Sequence, residues 1–244
     1  MKERLVIINN EKCVIKNSSI YCQNLELKSL PEGLNSHFNI NLILRKSNVS
    51  AIHKIDVNNI DLSNNILGFI INLLKEFKNK KTKYLIISIT PYTFIAYLFL
   101  IFSRKKIFLY LRSDGLDEWK LIFNSYFALI YRFMLFLMIK KSTVISVNKK
   151  ILIDKNYKLV LPSQLTQEWF KEISKPSFDE IKLLYVGRIN VVKGIFSLLH
   201  LYKKMNLDKK HSLSIVGPGK KIIEINKNIK VLETVSKPKD LIKI

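Results

Sequence analysis

The chain has 244 residues, 48% of them hydrophobic, which is enough to bury a core as one large domain or two smaller ones and excludes a disordered tail. The 41 Lys and Arg against 19 Asp and Glu leave a formal charge of +22, an attraction to polyanions that composition alone does not divide among nucleic acid, anionic lipid and phosphorylated substrates. A general Lys, Ile and Asn bias, as in KNKKTK at 78–83, accounts for much of that excess without any partner.

Cys13 and Cys22 are the only cysteines and have no His cluster nearby, so the sequence supports neither a disulfide scaffold nor a zinc-ligand set. An intracellular, cytoplasmic protein is the resulting expectation. The N-terminal MKERLVIINNEK has too short an apolar stretch for a signal-peptide core and reads as a first buried strand. A polar, weakly periodic region follows to about residue 65; SLPEGLN at 29–35 predicts a turn and INLILRK at 40–46 a second strand. ILGFIINLLKEF at 66–77 has apolar residues around most of a helix, and 84–89 (YLIISI) reads as a buried strand. Thr90 before Pro91 is a helix-start signature, with the helix running to Phe102. A strand at 107–111 leads into the loop RSDGLD at 112–117. A long apolar helix is expected over 121–139, then strands at 143–147 and 158–161. Strands alternating with helices predict an α/β fold with mainly parallel sheets.

The segment 92–102 is too short to span a bilayer, and 121–139 barely reaches the length while carrying Asn124, Ser125 and Arg132, so both are expected as buried helices. Arg104, Lys105 and Lys106 follow the first, and Lys140 and Lys141 the second. Such clusters would seat the chain on an anionic membrane surface, at about 1 kcal/mol per basic residue. Arg112 and Asp114 follow a strand end, where α/β ligands bind, although Asp114 would equally satisfy loop backbone groups. The polar run 168–179, with Pro176, predicts a linker between an N-terminal domain at 1–167 and a C-terminal domain at 180–244.

The densest chemistry lies at 186–194, VGRINVVKG. The apolar run 181–186 (IKLLYV) reads as a short buried strand, and Gly194 opens IFSLLHLYKKM, whose apolar residues recur at helical spacing. Arg188 and Lys193 therefore stand between a strand and a helix start. Free N–H groups there favour anions, and a guanidinium and an ammonium add charge-assisted hydrogen bonds to phosphate oxygens. Two solvated basic residues beside a turn would give the same stretch. SLSIVGPG at 212–219 then predicts a second strand ending at Gly217 and Gly219, and IKVLETV at 229–235 a third.

This succession resembles the start of the donor-binding domain of family-4 retaining glycosyltransferases of the GT-B fold. Glu233 and Thr234 stand where the family's third strand carries a glycine. YLRSDG, the apolar helix, VISV and VLPSQLT resemble stretches of the family's acceptor-binding domain, with Pro162 kept and Ser163 and Gln164 replacing Asn-Gly. The resemblance implies two Rossmann-like domains, the second incomplete: the chain ends at Ile244, before the family's pair of donor-contacting glutamates, and Glu224 and Glu233 have the wrong place and spacing to replace them. It implies transfer of a sugar, with retention of configuration, from a nucleotide diphosphate sugar to a glycan or lipid-linked acceptor. Arg188 and Lys193 would stabilise the departing diphosphate, the role a metal plays in other sugar transferases, so no metal and no cofactor beyond the donor substrate are expected. Gly187 and Gly194 would permit close backbone approach to the donor, and Gly217 and Gly219 would shape the adjoining wall. Arg112 and Asp114 would lie on the acceptor side. Two alternatives stand beside this expectation: a truncated, inactive relative, and a basic module that binds membrane or nucleic acid. The chain has no zinc-finger spacing, aromatic-rich RNA-binding signature or clear helix-turn-helix pattern, so no nucleic-acid partner is expected. The expected place is the cytoplasm, with peripheral attachment to the inner face of the cytoplasmic membrane.

Overall fold

Most helix starts in this chain are set by one side chain that accepts a hydrogen bond from a free backbone N–H. A computed structural model describes residues 2–48, 51–78, 81–113, 115–147, 157–162, 167–171, 181–205, 211–219, 228–232, 235 and 240–241. They belong to two compact units, Met1–Ser163 and Gln164–Ile244.

In the first unit the strands are β1 (Glu3–Lys16), β2 (Ser19–Cys22), β3 (Phe38–Lys46), β4 (His53–Lys54), β5 (Asn59–Ser63), β6 (Lys83–Ile87), β7 (Lys106–Leu111), β8 (Thr143–Ser146) and β9 (Tyr157–Leu159). The helices are α1 (Leu25–Leu34), α2 (Ile66–Lys75), α3 (Pro91–Phe102), α4 (Gly115–Ile122) and α5 (Ser125–Lys141). Asn24, Asn65, Thr90 and Asn124 cap α1, α2, α3 and α5, and Thr93 completes a reciprocal capping box with Thr90.

Strands β5, β3, β1, β6, β7, β8 and β9 lie side by side in that order, all parallel. After a register shift between Ile8 and Lys12, the end of β1 pairs antiparallel with β2, which pairs antiparallel with β4. The chain builds outward from β1 through β3 and β5, then returns to β6 on the other side of β1 and builds the opposite way. Beyond the carboxyl ends of strands at such a switch, α/β folds form their ligand crevices.

Both faces of the sheet are covered, which is why its central strands are nearly continuous apolar runs. Along β1, Val6 and Ile8 face Phe69 and Leu73 of α2, Tyr97 and Leu100 of α3, and Met134 and Met138 of α5. Leu5 and Ile7 point the other way, into a core that includes Leu27 of α1. Each large side chain buried this way contributes about 1.5–3 kcal/mol. One polar network is built in beside this core. Arg4 donates from Nε and Nη2 to the Glu76 carboxylate at 2.6 and 2.7 Å, while Asn41 Nδ2 reaches Glu76 at 3.0 Å and Asp61 at 2.8 Å.

Three expectations are corrected here. Residues 29–35 are not a turn; most belong to α1, with Pro31 inside the helix. Proline there removes one N–H donor, a cost offset because Leu27 and Pro31, one helical turn apart, are both buried. The helix expected over 121–139 is two helices. Asn124 does not interrupt a continuous helix but caps a new one, its Oδ1 accepting from Phe127 N at 3.1 Å. The loop expected at 112–117 already becomes helical at Gly115, where a Cβ would stand 2.2 Å from the Tyr131 ring.

The second unit has β10 (Ile181–Val186), α6 (Ile195–Lys204), β11 (His211–Val216) and β12 (Ile229–Leu232), with the strands parallel in the order β10, β11, β12. Ile195, Leu199 and Tyr202 of α6 pack with Leu213, Ile215 and Ile229. β10 was expected to be buried and is not: Ile181, Leu183, Leu184 and Val186 are 38–53% exposed. The strand pairs only with β11 among the described strands, and an edge strand keeps part of its apolar surface in water. The expected linker lies mostly outside the described residues, as do Asp114, Glu224 and Glu233.

Candidate active site

In the second unit, β10 ends at Val186 and the chain crosses to α6 through a tightly bound loop. Gly187 N donates to the Val216 carbonyl and Ile189 N to the Pro218 carbonyl, both at 2.9 Å, so this loop runs along the loop that follows β11. A parallel bridge joins Ile189 to Gly219. The glycines make this approach possible. Gly217 has φ +150°, and a Cβ there would fall 1.9 Å from the Gly187 carbonyl oxygen. Gly219 has φ +155°, and its Cβ would fall 2.7 Å from the Ile189 carbonyl oxygen. What these two glycines let close is the neighbouring loop. At Gly194 the need is conformational: φ is +71° with no neighbour in the way.

The loop then forms a short 3₁₀ turn, Val191–Lys193, capped by Asn190, whose side chain accepts from Lys193 N at 3.0 Å. From β10, the Tyr185 hydroxyl lies 3.1 Å from the Arg188 carbonyl oxygen and 3.4 Å from that of Lys193. One phenol therefore holds both ends of the loop. Arg188 and Lys193 are exposed, and neither side chain makes a hydrogen bond or ion pair with a described residue. Helix α6 starts immediately after, at Gly194, with no side-chain cap, unlike α1, α2, α3 and α5. Its first amides therefore lack a side-chain partner, and a helix start of this kind favours an anion. Tyr185 and Asn190 were not anticipated as site residues. A tyrosine two positions before the glycine turn and an asparagine three before Lys193 were the available signals.

In the first unit, a polar cluster lies beyond the carboxyl ends of β6 and β7. Arg112, expected on the acceptor side, donates from Nη1 to Glu26 Oε2 at 2.8 Å and from Nε to Ser88 Oγ at 3.4 Å. Tyr110 donates its hydroxyl to Glu26 Oε1 at 2.7 Å. Burial, and then this bond to Glu26, push the Tyr110 phenol well above its ordinary value of 10.0, so it remains a donor. Ser88 adopts φ +64°, its N–H donating to the Tyr110 carbonyl. Arg112 is thus a paired cation, with Glu26 as the partner that sequence reasoning missed. Among the described residues, no group of three or more His, Cys, Asp or Glu could hold a metal ion.

No family model and no curated protein matches the chain. Among solved structures it is similar to the lipopolysaccharide outer core galactosyltransferase WaaB in its apo form, with TM-score 0.53 and 14% identity over 98% of this chain and 70% of that one. It is also similar to a proposed UDP-N-acetylglucosamine 2-epimerase from Listeria monocytogenes, with TM-score 0.50 and 11% identity over 96% of this chain and 70% of that one. At these identities the likeness speaks to fold alone. The chain has a GT-B-like α/β fold with mainly parallel sheets.

Proposed function

We propose that this chain takes part in glycosyl transfer, moving a sugar from a nucleotide diphosphate sugar to an acceptor hydroxyl with retention of configuration. The observation that carries the reading is the uncapped start of α6 preceded by a loop, fixed by Tyr185, that carries two exposed cations, Arg188 and Lys193, with no partner among the described residues. The demanding event in such a transfer is the charge that gathers on the departing diphosphate as the bond from the sugar's anomeric carbon to its phosphate oxygen breaks. A guanidinium and an ammonium held ready at that place stabilise the charge more in the transition state than in the bound donor, and this difference is what accelerates the reaction. Gly187 and Gly194 keep side chains off the loop's donor face. Glu26, Arg112 and Tyr110 supply the acceptor side with a carboxylate, a guanidinium and a phenol beyond the sheet's carboxyl edge.

The GT-B-like fold also appears in the epimerase neighbour, so the fold does not choose between sugar transfer and epimerisation of a nucleotide sugar. Arg188 and Lys193 act on the departing diphosphate in the transfer reading, and dependence on an acceptor is what separates transfer from epimerisation. The acceptor is a glycan or a lipid-linked sugar, and the working place is the cytoplasmic face of an anionic membrane. The test is to incubate the purified chain and a membrane extract with a panel of nucleotide sugars, following release of nucleoside diphosphate and the anomeric configuration of the product by NMR. The reading expects diphosphate release that requires acceptor and a product anomer matching the donor. Conversion of the free nucleotide sugar to its epimer, with no acceptor dependence, would replace it with epimerisation.

A further inference from the structure

Helix α5 is apolar on the face that a surface helix gives to water. Its inner face, Tyr131, Met134, Leu135, Met138 and Ile139, is buried against the sheet. Its outer stripe, at helical spacing, is Tyr126, Leu129, Phe133 and Phe136, which are 68%, 62%, 59% and 53% exposed. A helix that is apolar all round is ordinarily enclosed by protein or lipid. The patch extends onto the end of α4, where Leu121, Ile122 and Phe123 are also exposed. Phe123, just after α4, meets Phe127 of α5 at 5.4 Å between ring centroids, and Phe127 meets Tyr126 within α5 at 5.8 Å. This is a contiguous surface, unlike the scattered apolar residues that ordinary surfaces show.

The charge around it has one sign along α5, which contains Arg132, Lys140 and Lys141 and no Asp or Glu. Lys140 Nζ sits 4.0 Å from the centre of the Phe136 ring, so cation and apolar stripe meet directly. The Tyr97 hydroxyl donates to the Leu137 carbonyl and ties α3 to α5. The pairing of Phe108 with Thr143 brings Arg104 and Lys106, just after α3, to the same end of the sheet as Lys140 and Lys141. The acidic residues of the helix pair, Asp117 and Glu118, lie in the first turn of α4, away from this end.

We propose that the outer face of α4 and α5 is a membrane-docking surface that lies on an anionic bilayer, with the Tyr126, Leu129, Phe133 and Phe136 stripe entering the headgroup boundary and Lys140 and Lys141 at the level of the lipid phosphates. No described helix is long and apolar enough to cross a membrane, which leaves α5 lying along the surface. Aromatic rings suit that depth, and basic residues beside them add attraction to anionic headgroups. The surface rests on the exposure and composition of α5 and stands independently of the sugar-transfer reading.

The test is flotation of the full chain with phosphatidylglycerol–phosphatidylcholine vesicles and with phosphatidylcholine alone, at low and high salt. The parent should float with the anionic vesicles, and salt should weaken the binding. The triple variant Leu129→Gln, Phe133→Gln, Phe136→Gln should bind about tenfold more weakly or worse, with its thermal unfolding midpoint kept because these side chains face water. The double variant Lys140→Gln, Lys141→Gln should lose part of the salt-sensitive share only. Phe133→Trp, a conservative change, should add quenching by brominated acyl chains beyond that of the native Trp119 and Trp169. Equal flotation with neutral and anionic vesicles, a triple variant that binds like the parent, or no added quenching in Phe133→Trp would each overturn the proposal. So would a parent that sediments as a dimer and a triple variant that sediments as a monomer, which would make the face a contact between copies.

Discussion

Gly217→Ala tests how the diphosphate loop is held. The new Cβ would stand 1.9 Å from the Gly187 carbonyl oxygen, whereas real Cβ contacts stay beyond 3.0 Å, so the loops after β10 and β11 must separate by about 1 Å. Two hydrogen bonds cross that gap at 2.9 Å, from Gly187 N to Val216 and from Ile189 N to Pro218, and a shift of that size breaks both. Each contributes about 1 kcal/mol. An alanine held near φ +150° adds about 1–3 kcal/mol of backbone strain, for a total of about 3–5 kcal/mol. That is a large share of what so small a unit has to spare. Hydrogen exchange read by mass spectrometry should show protection in β10 and β11 falling roughly 100- to 5,000-fold, while β6 and β7 in the first unit keep theirs. Nucleoside diphosphate affinity should fall with it. Unchanged exchange in β10 and β11 would refute the claim that Gly217 is needed for the two loops to close on each other.

Other outcomes follow from the same structure. Tyr185→Phe removes the hydroxyl that meets the Arg188 and Lys193 carbonyls, and should weaken UDP binding by about 1 kcal/mol in calorimetry while β10 keeps its exchange protection. Glu76→Gln leaves Arg4 without its carboxylate and should lower stability to urea by about 2–3 kcal/mol, the figure held down because Arg4 keeps some solvent. Burial pushes the Tyr84 and Tyr97 phenols from 10.0 up to about 12, so the folded state holds these protons more tightly than the unfolded chain. The stability they contribute is fully present below pH 10 and is lost as pH rises from about 10 to 12. Circular dichroism with tyrosinate absorbance should show unfolding and ionisation together in that window; ionisation of Tyr84 and Tyr97 near pH 10 with the fold intact would contradict it.

Where a short stretch carries its own start signal or pattern, its structure was legible. Thr90 and Pro91 mark the start of α3, and the apolar run at 181–186 is β10 to the residue. Long-range packing hid the rest. Pro31 and Gly33 read as a turn because their local preferences oppose a helix, yet Asn24 caps α1, and burial of Leu27 and Pro31 overrides propensity. Asn124 looked like a polar residue within one long helix because capping depends on a break in the chain direction that apolar content does not reveal. β10 looked buried because composition reports that side chains are apolar, not whether a strand has neighbours on both sides. In the candidate site, Arg188 and Lys193 were visible from their place between strand and helix. Glu26 was not, because it meets Arg112 across 86 residues of sequence and comes from a helix that read as a turn. Gly217 and Gly219 stood out as glycines, but that they face the Gly187–Ile189 loop emerged only from three dimensions.

Titration calorimetry with UDP and GDP shows whether Arg188, Lys193 and the start of α6 hold a diphosphate. The parent should bind at least one of the two, Arg188→Ala and Lys193→Ala should each weaken binding by about 1.5–3 kcal/mol, and the double variant should bind neither detectably. Hydrogen exchange across β10 and β11 should be the same in all four proteins, because both side chains are exposed and neither has a hydrogen bond or ion pair with a described residue. Binding in the parent with undiminished affinity in the double variant would contradict the claim and make Arg188 and Lys193 two solvated surface charges.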